Sequence, residues 1–255
     1  MTGGGEGARG SAQGSARGSA ARILVLKLGD TLPALKARKG DFEDWIVAGL
    51  GVAREEVRVV DVPRGDPLPD ASEQKGIIIT GSESMVTERL EWSERAAEWL
   101  RNAVGRGPAV LGICYGHQLL AHALGGVVGN NPKGEELGAV DVALEGTARD
   151  DALLGGLPTR VRVYESHAQS VLKLPQGAVR LASNPWDANQ AFRYGAAAWG
   201  VQFHPEFDAE VAQAYIEHHR ADLAAGGRDP DELLRAASRD ALGGKLLRKF
   251  ALLAL

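Results

Sequence analysis

The chain has 255 residues, a formal charge of −4, 44% hydrophobic residues and one cysteine, with a pI of about 5.9. That balance offers no basic surface and argues against a nucleic-acid partner. A single cysteine cannot form an internal disulfide, which fits a reducing, cytoplasmic compartment. No apolar run reaches the ~20 residues of a membrane span, and no Cys/His cluster has the spacing of a zinc site, so neither a membrane nor a metal or other cofactor is expected.

Residues 1–21 are dominated by Gly, Ser, Ala and Arg, a composition that predicts a flexible tail. Residues 22–255 have the length of one α/β domain with a large core. The apolar run 22–30 reads as a first strand, and residues 42–50 as a helix with Trp45 and Ile46 on one face. Residues 57–61, 77–80 and 108–113 read as further strands. Between the last two lies an amphipathic helix over 86–104, with Leu90, Trp92, Trp99 and Leu100 as core contacts. Strands alternating with helices predict a mostly parallel sheet covered on both faces, a three-layer αβα arrangement. From about 137 to 203, shorter strands separated by Gly and Pro predict a small antiparallel extension. Residues 208–222 read as a helix. Residues 230–255 read as another, whose apolar face (Leu233, Leu246, Leu247, Phe250, Leu253) packs on the body or, leaving a homo-oligomer open, on a second copy.

The lone cysteine sits in Gly112-Ile113-Cys114-Tyr115-Gly116-His117-Gln118, after an apolar strand and before a helical pattern. A sharp strand-to-helix reversal leaves no room for side chains two residues either side of the turn, which favours glycine at both places. The turn residue is then lifted to a helix N-terminus, where the dipole favours thiolate over thiol. The N–H of Tyr115 would face the reaction centre as one oxyanion donor. A thiolate needs a base, and the base needs an orienting group. Of six histidines, His204 ends an apolar strand and opens His204-Pro205-Glu206. Strand C-termini are where open α/β sheets bind ligands, and Glu206 can reach back to hold the imidazole. His117 and His122 lie on the helix leaving the turn and point away from it, and His218 and His219 read as solvated. His167 is the one rival base, but it lacks a Pro-Glu companion.

The two motifs, Gly-Ile-Cys-Tyr-Gly-His-Gln and Gly-Val-Gln-Phe-His-Pro-Glu-Phe, resemble those of the class I, triad-type glutamine amidotransferases, in particular the stand-alone domains similar to the amidotransferase half of GMP synthetase. The resemblance covers about residues 22–215. It implies a flavodoxin-like fold and a Cys114–His204–Glu206 triad that releases ammonia and glutamate from glutamine through a γ-glutamyl thioester. It matches Gly81 to the second oxyanion donor and Gln118 and Glu136 to substrate-pocket residues. It aligns Ser166-His167-Ala168-Gln169 with a Ser-His-Gly-Asp turn whose backbone contacts the substrate's α-groups. Thr80-Gly81-Ser82 departs from the Gly-Gly-Pro of many relatives, and Ala168-Gln169 replaces Gly-Asp, which re-shapes that turn. Three functions follow. The first is a glutaminase feeding a separate ammonia-accepting synthetase. The second is a γ-glutamyl peptidase, since a thioester forms whichever amine departs. The third is a non-catalytic glutamine-sensing subunit, disfavoured because a binder needs no nucleophile.

Overall fold

The computed structural model describes residues 22–237 and 242–255; the tail expected at 1–21 lies outside them. Five strands, β1 (Ile23–Lys27), β2 (Val57–Asp61), β3 (Gly76–Ile79), β4 (Ala109–Ile113) and, much later in the chain, β11 (Ala198–Val201), run parallel. Between the last two come β5 (Val127–Asn130), β6 (Glu136–Leu144), β7 (Arg160–His167), β8 (Gln169–Lys173), β9 (Val179–Ser183) and β10 (Ala191–Tyr194). The large sheet has the order β2-β1-β3-β4-β11-β10-β9-β6-β7, while β5 and β8 pair separately. The parallel part carries the flavodoxin-like order with its reversal between β1 and β3, the place where such sheets open a ligand crevice.

Strands β1, β3, β4 and β11 are buried along their whole length, as parallel strands covered on both faces must be. Their side chains alternate between two cores. Ile23, Val25, Ile78 and Leu111 meet Ile46 and Leu50 of helix α2 (Phe42–Leu50) and Leu246, Leu247 and Phe250 of α8 (Lys245–Ala254). Leu24, Leu26, Ile77 and Val110 meet Ala96, Ala97 and Leu100 of α3 (Glu91–Val104) and Leu119 and Leu120 of α4 (Tyr115–Ala123). The three-layer expectation therefore holds. A third core, containing Leu35, Phe42, Trp45, Phe207, Tyr215 and Ile216, joins α1 (Pro33–Lys39) to α5 (Ala209–His218) near the C-terminal ends of the parallel strands.

Several boundaries differ from the sequence reading. Helix α1 was not foreseen; Pro33 opens it, a position where the missing N–H costs nothing. The segment 86–104 is a short 3₁₀ turn (Val86–Glu88) and then α3, parted by Arg89 at φ 54°. Leu100 is fully buried there, whereas Leu90, Trp92 and Trp99 are half-buried. The helix expected over 208–222 breaks at His219 into α5 and α6 (Arg220–Ala225). The single helix expected over 230–255 is two, α7 (Pro230–Ala237) and α8, because Gly243 at φ 49° and Gly244 interrupt it. Helix α7 lies against α5 and β6, and α8 against α2, β3 and β4, so both pack on the body; Leu253 is exposed. In the antiparallel part, β6 and β7 have 9 and 8 residues, the longest strands described rather than short ones.

Charge fixes the start of α2. Lys27, 5% exposed at the end of β1, donates to Asp41 (2.6 Å) and Glu43 (2.7 Å) and pairs with Asp30 (2.8 Å). Burial works against its charge, but the three carboxylates outweigh it and hold the ammonium above the usual lysine range. Asp41 caps α2 by accepting from the N–H of Phe42 and takes a second N–H, from Thr31. Lys27→Met would leave these acids short of a cation. It should cost about 3 kcal/mol in a denaturant melt, the lower end for a broken buried pair, since Lys36 still reaches Asp41 at 2.9 Å.

Candidate active site

Cys114 alone links β4 to α4, with φ 51° and ψ −106°. A non-glycine residue rarely adopts such a backbone and pays for it in strain. The surroundings hold it there: its N–H donates to the carbonyl of Val201 in β11 (2.9 Å), and its carbonyl accepts from Gln118 (3.1 Å). The flanking glycines supply space. A Cβ on Gly112 would lie 2.4 Å from the Gly116 carbonyl oxygen, and one on Gly116 would lie 2.3 Å from the Ile79 carbonyl oxygen. The sulfur therefore sits at the N-terminus of α4, and it contacts the carbonyl of Ser166 at 3.6 Å. The Tyr115 N–H is one of the helix's first, intrinsically unpaired donors. The Tyr115 ring is buried under α3, its hydroxyl 2.6 Å from Ser93.

Strand β11 neighbours β4 in parallel register, Val201 opposite Ile113. Three residues beyond its end, His204 is fixed by its N–H donating to Tyr164 (2.9 Å). Its Nδ1 lies 2.7 Å from Glu206 Oε1, and its ring stacks on Phe207 with centroids 3.9 Å apart. The other nitrogen, Nε2, is left for Cys114, with which the imidazole interacts. Burial disfavours the imidazolium, but the Glu206 carboxylate and the Cys114 sulfur more than offset it, and His204 is pushed up to about 10. Gly81 approaches the same ring: a Cβ there would lie 3.1 Å from His204 Cε1. Its peptide is tied down by Thr80, whose hydroxyl donates to the Gly81 carbonyl and accepts from the N–H of Leu28.

A cavity of about 290 Å³ opens over the sulfur, lined by Cys114, His204, Gln118, Ser166, His167 and Ala168 among others. Gln118 Nε2 donates to the Gln169 carbonyl (2.8 Å) and to Gln202 (3.1 Å), so its amide nitrogen is engaged within the protein. His167 Nδ1 donates to the Gln169 carbonyl, and its Nε2 faces Glu136 at 3.1 Å and Glu165 at 3.5 Å. Both its nitrogens are thereby taken, which separates it from His204 as a partner for Cys114. Glu136 is buried, holds Asn184 and Gln190 as well as His167, and is absent from the cavity wall; its neighbour Glu135 lines it instead. His117 packs on Phe192, and burial pushes it down to about 4.

Sequence reasoning missed five contributors. Phe42 lines the cavity and packs near His204. Tyr215 bonds Thr31 at 2.9 Å from α5. His218 and His219, read as solvated, border the cavity. Glu165 is wholly buried behind Cys114, where burial, the Glu136 carboxylate and the Cys114 sulfur raise its carboxyl well above the usual range and favour its neutral form. Glu136, Glu165 and His167 bring one donor atom each within 4.8 Å of one another. That is a metal-like grouping no sequence spacing announced, and the hydrogen bonds above already account for Glu136 and His167.

Two outcomes follow from this geometry. Gly116→Ala drives a methyl into the backbone of β3, and a thermal or denaturant melt should show a loss of about 1–3 kcal/mol. Glu206→Gln removes the charge that raises His204. In wild type, alkylation of Cys114 that depends on the imidazolium partner changes as pH rises through about 10; in the variant that change moves to lower pH, read from iodoacetamide rates across the pH range.

Residues 39–221 match the family model for Glutamine amidotransferase class-I. A GMP synthase [glutamine-hydrolyzing] of Aeropyrum pernix is 36% identical over 185 residues, covering 72% of this chain and 32% of that one; the chain thus spans about a third of that relative's length. Gamma-glutamyl peptidase 4 of Arabidopsis thaliana is 28% identical over 197 residues, covering 75% of this chain and 76% of that one. Among solved structures, a glutamine amidotransferase of Thermotoga maritima superposes with a TM-score of 0.69 at 25% identity, covering 91% of this chain and 96% of that one. The chain belongs to the class I glutamine amidotransferase family.

Proposed function

We propose that the protein hydrolyses γ-glutamyl amides, with L-glutamine as the first substrate, through Cys114, His204 and Glu206, and that residues 22–255 form the domain that does so. The observation that carries this reading is the meeting, from adjacent strands β4 and β11, of a cysteine at a helix N-terminus with a histidine held by a carboxylate at 2.7 Å. The Cys114 thiolate attacks the γ-carbonyl carbon, and the N–H groups of Tyr115 and Gly81 hold the oxyanion. His204 Nε2 gives its proton to the departing nitrogen, the C–N bond breaks, and ammonia leaves behind a γ-glutamyl thioester. His204 then takes a proton from water, the hydroxide displaces sulfur, and glutamate is released. Glu206 keeps Nε2 turned to the sulfur. Ser166, His167 and Ala168 offer the turn that meets the α-groups, with Gln118 and Glu136 supporting it. Ammonia would pass to a separate synthetase.

A second reading, γ-glutamyl peptidase, has its own support: the chain matches the Arabidopsis peptidase over three quarters of both lengths, and Ala168-Gln169 alters the turn at the cavity wall. Glutamate release from L-glutamine and from a panel of γ-glutamyl dipeptides tests both. Turnover in either case should fall at least about 10⁴-fold in Cys114→Ala. Full activity in that variant would overturn the assignment, and turnover of peptides with glutamine inert would select the peptidase.

A further inference from the structure

The mouth of the cavity has an unbalanced charge. Glu83, on the turn after β3, and Glu135, just before β6, both line it, and no Lys or Arg does. Glu83 is exposed and Glu135 half-buried. Neither carboxylate has an ion-pair or hydrogen-bond partner among the described residues. The basic side chains of the neighbouring segments bond main-chain carbonyls and not these carboxylates: Lys133 donates to the Pro185 carbonyl, and Arg228 donates to the carbonyls of Glu135 and Leu137. The remaining ionisable side chains at the rim are His218 and His219.

Ammonia, the leaving group from glutamine, is too small to use this rim. A γ-glutamyl amide of a larger amine brings an added group into the cavity that these acids line. We infer that the site prefers γ-glutamyl amides whose departing amine carries a second ammonium group, a diamine or polyamine, held by Glu83 and Glu135. This rests on the proposed Cys114 chemistry and specifies its substrate. The S–C bond forms to give the oxyanion, the C–N bond breaks as it collapses, and the amine leaves with a proton from His204. Water then splits the thioester to glutamate, returning its proton through His204 and restoring the thiolate. No oxidant or cofactor enters. Two carboxylates in the path of an approaching cation also raise its local concentration and its rate of capture.

The test compares the γ-glutamyl amides of 1,4-diaminobutane and of n-pentylamine, matched in length and differing in a terminal ammonium against a methyl. With wild-type protein kcat/KM should favour the diamine amide about tenfold, the sum of two partly exposed ion pairs. The preference should shrink toward one in Glu83→Gln/Glu135→Gln, and also in about 0.5 M NaCl, where exposed pairs are screened. A wild-type ratio near one overturns the inference while leaving the Cys114 chemistry intact. An undiminished ratio in the double variant overturns it too, as would occur if these acids read the α-ammonium common to both amides. Calorimetric Kd values for both amides on Cys114→Ala protein report the preference without turnover. Equal values overturn the inference, and a tighter diamine amide supports it even if the hydrolysis reading fails.

Discussion

The whole site hangs on one steric condition: the backbone of β3, β4 and α4 must come together with no side chain between them. Ile79 meets Gly116, and Gly116 meets Gly112, at distances a methyl group would violate. This close approach forces Cys114 into a positive φ that a cysteine would otherwise avoid. It also sets where everything else can be. The end of β3 delivers Gly81, the end of β4 delivers the sulfur, and β11, hydrogen-bonded alongside, delivers His204. The strain at Cys114 is held by β3, β4 and β11, each buried along its whole length.

Behind the sulfur the antiparallel strands play a different role. Glu136 and His167 are direct partners across β6 and β7, and Glu165, two residues before His167, shares their face. The pleat alone therefore stacks two carboxyls and an imidazole in the interior. Such a layer is tolerable only if protons and amide donors are shared among its members. Asn184 and Gln190 provide two of those donors, and the neutral form of Glu165 lowers the remaining charge. The layer holds His167, and through it the Ser166–Ala168 segment, against the cavity.

Much of this was legible in the residues. The parallel strands stand out because burial on both faces writes them as continuous apolar runs, and β2 matches its expected range of 57–61. The reversal at Cys114 is local, so its glycines can be read without any long-range knowledge. His204-Pro205-Glu206 is local too, with the imidazole and its carboxylate two residues apart. What could not be read depends on faces and neighbours. Lys27 looks like a stray charge in an apolar strand until Asp41 and Glu43 arrive from another segment. Glu165 looks like an ordinary strand-edge acid until the pleat turns it inward. The breaks at Arg89, His219 and Gly243 fall inside patterns that stay amphipathic across them, so periodicity carries no mark of the interruption. His218 and His219 border the cavity because α5 is drawn in by the core around Phe207 and Tyr215, not because of anything adjacent in sequence.

The pairing of β4 with β11 has a consequence for how the protein is made. Cys114 leaves the ribosome long before His204, and at ~5–20 residues per second the interval is roughly 5–20 s. During that time the sulfur has neither its imidazole nor the Val201 carbonyl that anchors its backbone. It is an ordinary thiol in a nascent chain, without the groups that would activate it. Under the proposed chemistry, the last parallel strand to be synthesised is the one that arms the nucleophile. Incomplete or truncated chains therefore lack the activated site, and activity itself reports that the sheet has closed.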